Sequence, residues 1–183
     1  MAIANKVIHN PVTGQTIRFQ KTSKDTQGAL LEMESRFDPF SKEPPPHYHP
    51  FQTEHFIIQE GRIYVRINGT VKELVKGEKL EIAPNTIHSM WNPYTKKAKV
   101  TWRVQPAMNT EYLLETGMGL AANGRVGKKG APGFLQSILI LKHYKDVYRL
   151  AKPSYSLQRI LTIIFSPVAR LAGYKPVYKE YLD

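Results

Sequence analysis

The chain has 183 residues, 42% hydrophobic and 22% charged, a balance that suits a soluble globular domain with an extension. It contains no cysteine, which excludes disulfides, thiolate metal sites and thiol nucleophiles; any metal must be held by His, Asp, Glu or backbone oxygen. Lys and Arg outnumber Asp and Glu by 26 to 15, giving a net charge of +11, but the cations are spread along the chain, so no specific nucleic-acid partner is expected.

Residues 1–107 read as β structure, from short alternating runs and turn signals. Thr16 to Gln20 is a short candidate strand. Leu31, Met33, Ser35 and Phe37 alternate with Glu32, Glu34 and Arg36, the period-two pattern of a strand with one face toward a core. Pro44-Pro45-Pro46 then imposes a stiff, extended entry into the next segment. Arg62 to Ile67, Asn68-Gly69 and Thr70 to Leu74 spell a hairpin, because Asn-Gly fits the two positive-φ positions of a type I′ turn. Glu78 to Ile82 and Lys99 to Val104 are further strands, the latter with Val100, Trp102 and Val104 on one face.

After Pro106 the pattern turns helical. Residues 109–122 form one expected helix. Gly124 to Gly133 is a glycine-rich basic segment, read as a flexible loop; its Arg125, Lys128 and Lys129 lack the Ser or Thr that a phosphate-binding loop needs after its Lys. Phe134 to Leu150 has helical period, with Pro153 as its stop, and Leu157, Ile160, Leu161 and Ile164 mark a further helix interrupted near Pro167. The N-terminus lacks the apolar run of a secretory signal. The Ile160 to Ala169 stretch is short of the roughly 20 residues that span a bilayer, so a cytoplasmic location is expected.

The chemistry concentrates in His47-Tyr48-His49 with Glu54 and Gly61, and in Gly77 to Asn92 around His88. Histidines at i and i+2 of an extended segment share a face, so two imidazoles can converge on one ion; a carboxylate five residues on reaches it after a bend. The two blocks resemble the paired motifs of the cupin superfamily. The first, His-x-His, four residues, Glu, six residues, Gly, is met at every position. In the second, Gly77, His88 and Asn92 match, while Ala83 stands where the family has Pro and Asn85 where it has Gly; Asn still accommodates a left-handed turn.

The resemblance, over about residues 25–107, implies a mainly β cupin jelly-roll barrel with an α-helical C-terminal extension over residues 108–183. It implies His47, His49, Glu54 and His88 as ligands of one divalent transition metal ion (Fe, Mn, Ni, Cu, Co or Zn), with Glu54 also a candidate proton acceptor. By alternation Phe56 and Met90, with Trp102, are candidate substrate walls, while His55 and Trp91 point away. The resemblance further implies a homodimer and, as leading activity, a quercetinase-like dioxygenase acting on a small aromatic or dicarbonyl molecule. The alternatives are a non-catalytic metal-dependent small-molecule binding or sensing module, and a Lewis-acid isomerase or lyase. The extension resembles the helical tail of a group of bacterial single-cupin proteins. It is read as structural cover for the barrel, with a dimer interface or peripheral membrane contact as the competing readings.

Overall fold

The structure, a computed structural model, describes residues 2–128 and 130–182. In chain order it forms β1 (Val7–Asn10), β2 (Gln15–Lys21), β3 (Leu31–Phe37), β4 (His47–Tyr48), β5 (Thr53–Glu60), β6 (Arg62–Ile67), β7 (Thr70–Val75), β8 (Lys79–Ile82), β9 (His88–Trp91) and β10 (Ala98–Gln105). There follow α1 (Thr110–Ala122), α2 (Phe134–His143), β11 (Arg149–Leu150), α3 (Tyr155–Leu171) and α4 (Lys179–Leu182). Two antiparallel sheets face each other as a jelly roll: β1-β2-β3-β10-β5-β8 and β11-β4-β9-β6-β7.

The alternation read from the sequence is realised in the packing. Leu31, Met33, Ser35 and Phe37 are buried along β3. Phe56, Ile58, Ile63, Val65, Met90 and Val100 meet between the sheets as one core cluster, and Trp102 joins it to a second cluster around Phe19, Met33 and Val104. The β6–β7 hairpin turns at Asn68 and Gly69 with φ of 48° and 91°, the left-handed pair a type I′ turn requires. Asn85 holds φ 64°, so it occupies the turn conformation despite replacing Gly. Gly61 is fixed for a steric reason as well: a Cβ there would lie 2.6 Å from the Lys97 carbonyl oxygen.

The proline-rich entry to β4 is tied down by Glu43. Its carboxylate accepts hydrogen bonds from Arg66 Nε (2.8 Å) and Nη2 (3.1 Å) and from Ser89 Oγ (2.6 Å), linking the entry to β6 and β9. The extension is anchored by buried polar contacts. Gln52 donates to the carbonyls of Pro106 and Ala107 and to Thr110 Oγ1, Ser23 donates to Glu111 through both its N–H and its hydroxyl, and Lys6 pairs with Glu115 at 2.7 Å.

Three expectations about the extension are corrected. The helix expected to reach Leu150 ends at His143; the chain turns there, and Arg149 and Leu150 pair with Tyr48 and His47 as a strand. Strand pairing satisfies backbone groups that one more helical turn would have left facing the edge of β4. The helix expected to break near Pro167 runs through it to Leu171. Pro167 and Ile163, whose carbonyl would have received the missing N–H bond, both lie on the exposed side, where water can serve that carbonyl. The glycine-rich basic loop is partly tethered: Arg125 stacks on Tyr178 and donates to its hydroxyl at 2.9 Å, and the Lys128 carbonyl accepts from Lys42. Lys129 lies outside the described residues.

The Arg66 guanidinium beside Glu43 holds its carboxyl below the ordinary carboxylate range despite partial burial. A depressed carboxyl stabilises the fold fully above the unfolded-state value near 4.5, and that contribution fades as pH falls through the lower folded value. Glu43→Gln should therefore cost about 1 kcal/mol at pH 7. The gap in melting temperature to the parent protein should close as pH drops from 5 toward 3.

Candidate metal centre

His47 and His88 sit directly opposite each other in the β4–β9 pairing, and His49 follows on the same face as β4 ends. Glu54 enters from β5 in the opposing sheet. The three histidines offer ring nitrogens that lie within 4.8 Å of one another. Glu54 Oε2 is 2.8 Å from His88 Nε2, and Glu54 Oε1 is 3.5 Å from His49 Nε2. Four side chains from three strands and two sheets thus converge inside one end of the barrel.

The far sides of the rings decide what this convergence means. Each Nδ1 faces a backbone carbonyl: Pro45 for His47 (3.0 Å), Val147 for His49 (2.5 Å) and Thr86 for His88 (2.9 Å). A carbonyl only accepts, so each Nδ1 must carry the proton, which leaves each Nε2 with a bare lone pair. Those lone pairs point toward one another and toward a carboxylate. His49 Nε2 and Glu54 Oε2 are buried without a hydrogen-bond partner. Acceptors arranged in this way repel unless a cation or a proton lies among them. The donor set of three imidazoles and a carboxylate suits a divalent transition ion and fits one here.

The electrostatics agree. Burial alone would raise the Glu54 carboxyl, but the neighbouring imidazoles of His49, His88 and His47 outweigh it and bring the carboxyl to about 2. Burial, reinforced by the charges of His88 and His49, drives His47 well below the ordinary imidazole value. His88 moves the other way: burial opposes its protonation, yet Glu54 beside it raises it above the usual value. A proton on His88 Nε2, 2.8 Å from Glu54 Oε2, would separate these two acceptors, and a bound metal would displace it.

Trp102 Nε1 donates to Glu54 Oε1 at 2.9 Å and so orients the carboxylate as well as walling the site. A cavity of about 250 Å³ opens over the histidines, with Phe56, Met90 and Trp102 in its lining together with Leu113, Met118 and Tyr148 from the extension. A larger, mainly apolar cavity of about 810 Å³ adjoins it and shares Leu113, Gly117 and Tyr148 as walls. Trp91 packs on Tyr64 away from the site, and His55 faces Glu81 at the surface. Asn92 is buried but turned to structure, donating to the carbonyls of Phe37, Asp38 and Lys96.

Sequence reasoning missed Val147 and Tyr148. Val147 acts through a backbone carbonyl, which no side-chain pattern announces, and Tyr148 falls within the Phe134 to Leu150 stretch whose period reads as helical. Its ring lies 4.7 Å from the His47 ring at 30°, and burial raises its hydroxyl above the ordinary tyrosine range.

The family described as Cupin domain (Cupin_2) matches residues 33–104. The barrel thus carries a cupin domain over these residues. Solved structures of similar fold include an RmlC-like cupin from Shewanella frigidimarina, 18% identical with a TM-score of 0.50 over 58% of this chain and 88% of that one. A predicted oxalate decarboxylase from Thermotoga maritima is 17% identical with a TM-score of 0.50 over 57% of this chain and 93% of that one. The curated protein named probable oxidoreductase patJ from Penicillium expansum is 23% identical across 93% of this chain and 57% of its own length. The chain thus spans a little over half the length of the curated relatives it matches.

The tautomers are directly observable. In the zinc-loaded protein, long-range ¹H–¹⁵N correlation spectra should show all three cupin-motif imidazoles protonated at Nδ1. An Nε2-protonated ring at position 47, 49 or 88 would contradict the carbonyl geometry.

Proposed function

We propose that the protein is a metal-dependent cupin oxidoreductase of dioxygenase type, acting on a small, largely apolar aromatic or dicarbonyl molecule. The observation that carries this reading is the convergence of three Nδ1-protonated imidazoles on an ionised carboxylate beneath an apolar cavity. The probable-oxidoreductase name of a relative that matches 93% of this chain supports the reaction class.

His47, His49, His88 and Glu54 would hold one divalent transition ion, which when bound supplies Lewis acidity and redox chemistry at the cavity floor. The chain's own residues do the remainder. Trp102 fixes the Glu54 carboxylate through its indole N–H, and the three carbonyls fix the ring orientations. With a carboxyl at about 2, Glu54 is ionised at neutral pH and serves first as an anionic ligand; a proton it accepts from substrate is held only transiently. Phe56 and Trp102, stacked at 5.8 Å, with Met90, Leu113 and Met118, offer a flat apolar slot above the centre. The adjoining cavity gives room for a substrate longer than a single ring.

Oxygen-electrode assays with a flavonol and β-diketone panel, on protein loaded in turn with Fe, Mn, Ni, Co and Cu, test the reaction class. Metal-dependent oxygen uptake with stoichiometric substrate loss is the expected result. Tight metal-dependent binding without uptake would instead identify a sensing or storage module. Trp102→Phe keeps the apolar wall and removes only the bond to Glu54, so it should lower metal affinity or turnover about 10- to 100-fold.

A further inference from the structure

The α3 helix is packed with its faces reversed. Its buried positions are Gln158, Thr162, Ser166 and Ala169, and these small or polar side chains lie on the side that packs against α2. Gln158 caps the carbonyls of Leu150 and Pro153 from within. Leu157, Ile160, Ile163, Ile164, Val168 and Leu171 recur at helical spacing and are all exposed, Ile163 at 63% and Leu171 at 90%. A helix whose apolar residues face outward is not explained as cover for the barrel.

The charge around this face is predominantly positive, although Asp146 lies 4.0 Å from Arg149 Nη2. From Val147 to Lys179 the chain has no Asp or Glu, while it carries Arg149, Lys152, Arg159, Arg170, Lys175 and Lys179. Between α2 and α3 lies a groove of about 270 Å³ lined by Lys142, Lys145, Arg149 and Arg159, with Tyr155 and Ile163 on its edge and no carboxylate in its lining. Arg149 is held 3.6 Å over the Tyr155 ring, which presets its guanidinium. A four-cation groove beside an outward apolar stripe matches a phosphate headgroup next to its acyl chains.

We propose that α3 and the α2–α3 groove form a docking surface for anionic phospholipid, with the helix lying in the plane of a membrane. Exposed Leu and Ile side chains enter the headgroup–acyl boundary, and the groove takes an anionic headgroup. A second copy of the chain fits less well. Facing copies would bring the same cations together, and from Val147 to Lys179 the chain carries no carboxylate to pair with them. No helix among the described residues is long and apolar enough to cross a bilayer, so the contact is peripheral.

Flotation of the full-length protein with phosphatidylglycerol/phosphatidylcholine vesicles, and with phosphatidylcholine alone, tests this. Recovery with the anionic vesicles, weakened by salt and by charge removal, is the expected result. Ile160→Glu with Ile164→Glu should abolish recovery, and Arg149→Glu with Arg159→Glu should lower vesicle affinity by about fivefold or more per charge. Unchanged circular dichroism and metal content in each variant would show that the fold is retained. Protein that stays in the soluble fraction with both vesicle types overturns the proposal. So does equal recovery with neutral vesicles, or a dimer in sedimentation equilibrium that Ile164→Glu dissociates, which would assign the face to a second copy.

Discussion

Three imidazoles whose outer nitrogens each give a proton to a backbone carbonyl must turn bare lone pairs inward, and here those lone pairs meet a carboxylate. Inside a protein, where water cannot screen it, such a meeting is stable only around positive charge. The rest of the barrel end can be read as support for that arrangement. The β4–β9 pairing sets His47 opposite His88, β5 brings Glu54 from the other sheet, and Trp102 holds the carboxylate from β10. A cation among these groups would relieve their repulsion, and the three imidazoles are placed so that they could hold one.

The extension is part of this centre. It supplies the carbonyl that sets the His49 tautomer and the aromatic ring beside His47, and β11 adds a strand to the edge that carries His47. The same segment walls the cavity through α1, which hydrogen bonds from Gln52 and Ser23 lock to the barrel. Movement of the extension would therefore change both the shape of the cavity and the basicity of one imidazole. The outward face of α3 is exposed, while its inner face packs against α2 and donates through Gln158 to the carbonyls of Leu150 and Pro153.

Much of the barrel was legible because period-two alternation and turn chemistry are local. Leu31 to Phe37, the Asn68-Gly69 turn and the tolerance of Asn85 all follow from a few adjacent residues. The convergence of His47, His49, Glu54 and His88 was legible for a different reason: the His-x-His spacing puts two rings on one face, and the resemblance to the paired cupin motifs adds Glu54 and His88. Contacts between distant segments were not legible. Val147 lies 98 residues from His49 and contributes only backbone, and β1 is too short and half-exposed to stand out by pattern. In α3 the sequence showed the amphipathic period but not its direction. Periodicity reports that a helix has two faces; the packing partner decides which one is buried.

The central claim concerns what occupies the space among four side chains, and X-ray absorption spectroscopy of the protein purified without chelator reads that directly. The metal edge should be present at close to one ion per chain. The extended fine structure should fit nitrogen and oxygen neighbours only, with the outer-shell multiple scattering of three imidazoles. A spectrum showing no more than one imidazole, or a preparation that takes up no transition ion when it is supplied, would contradict the convergence on which the proposed chemistry rests.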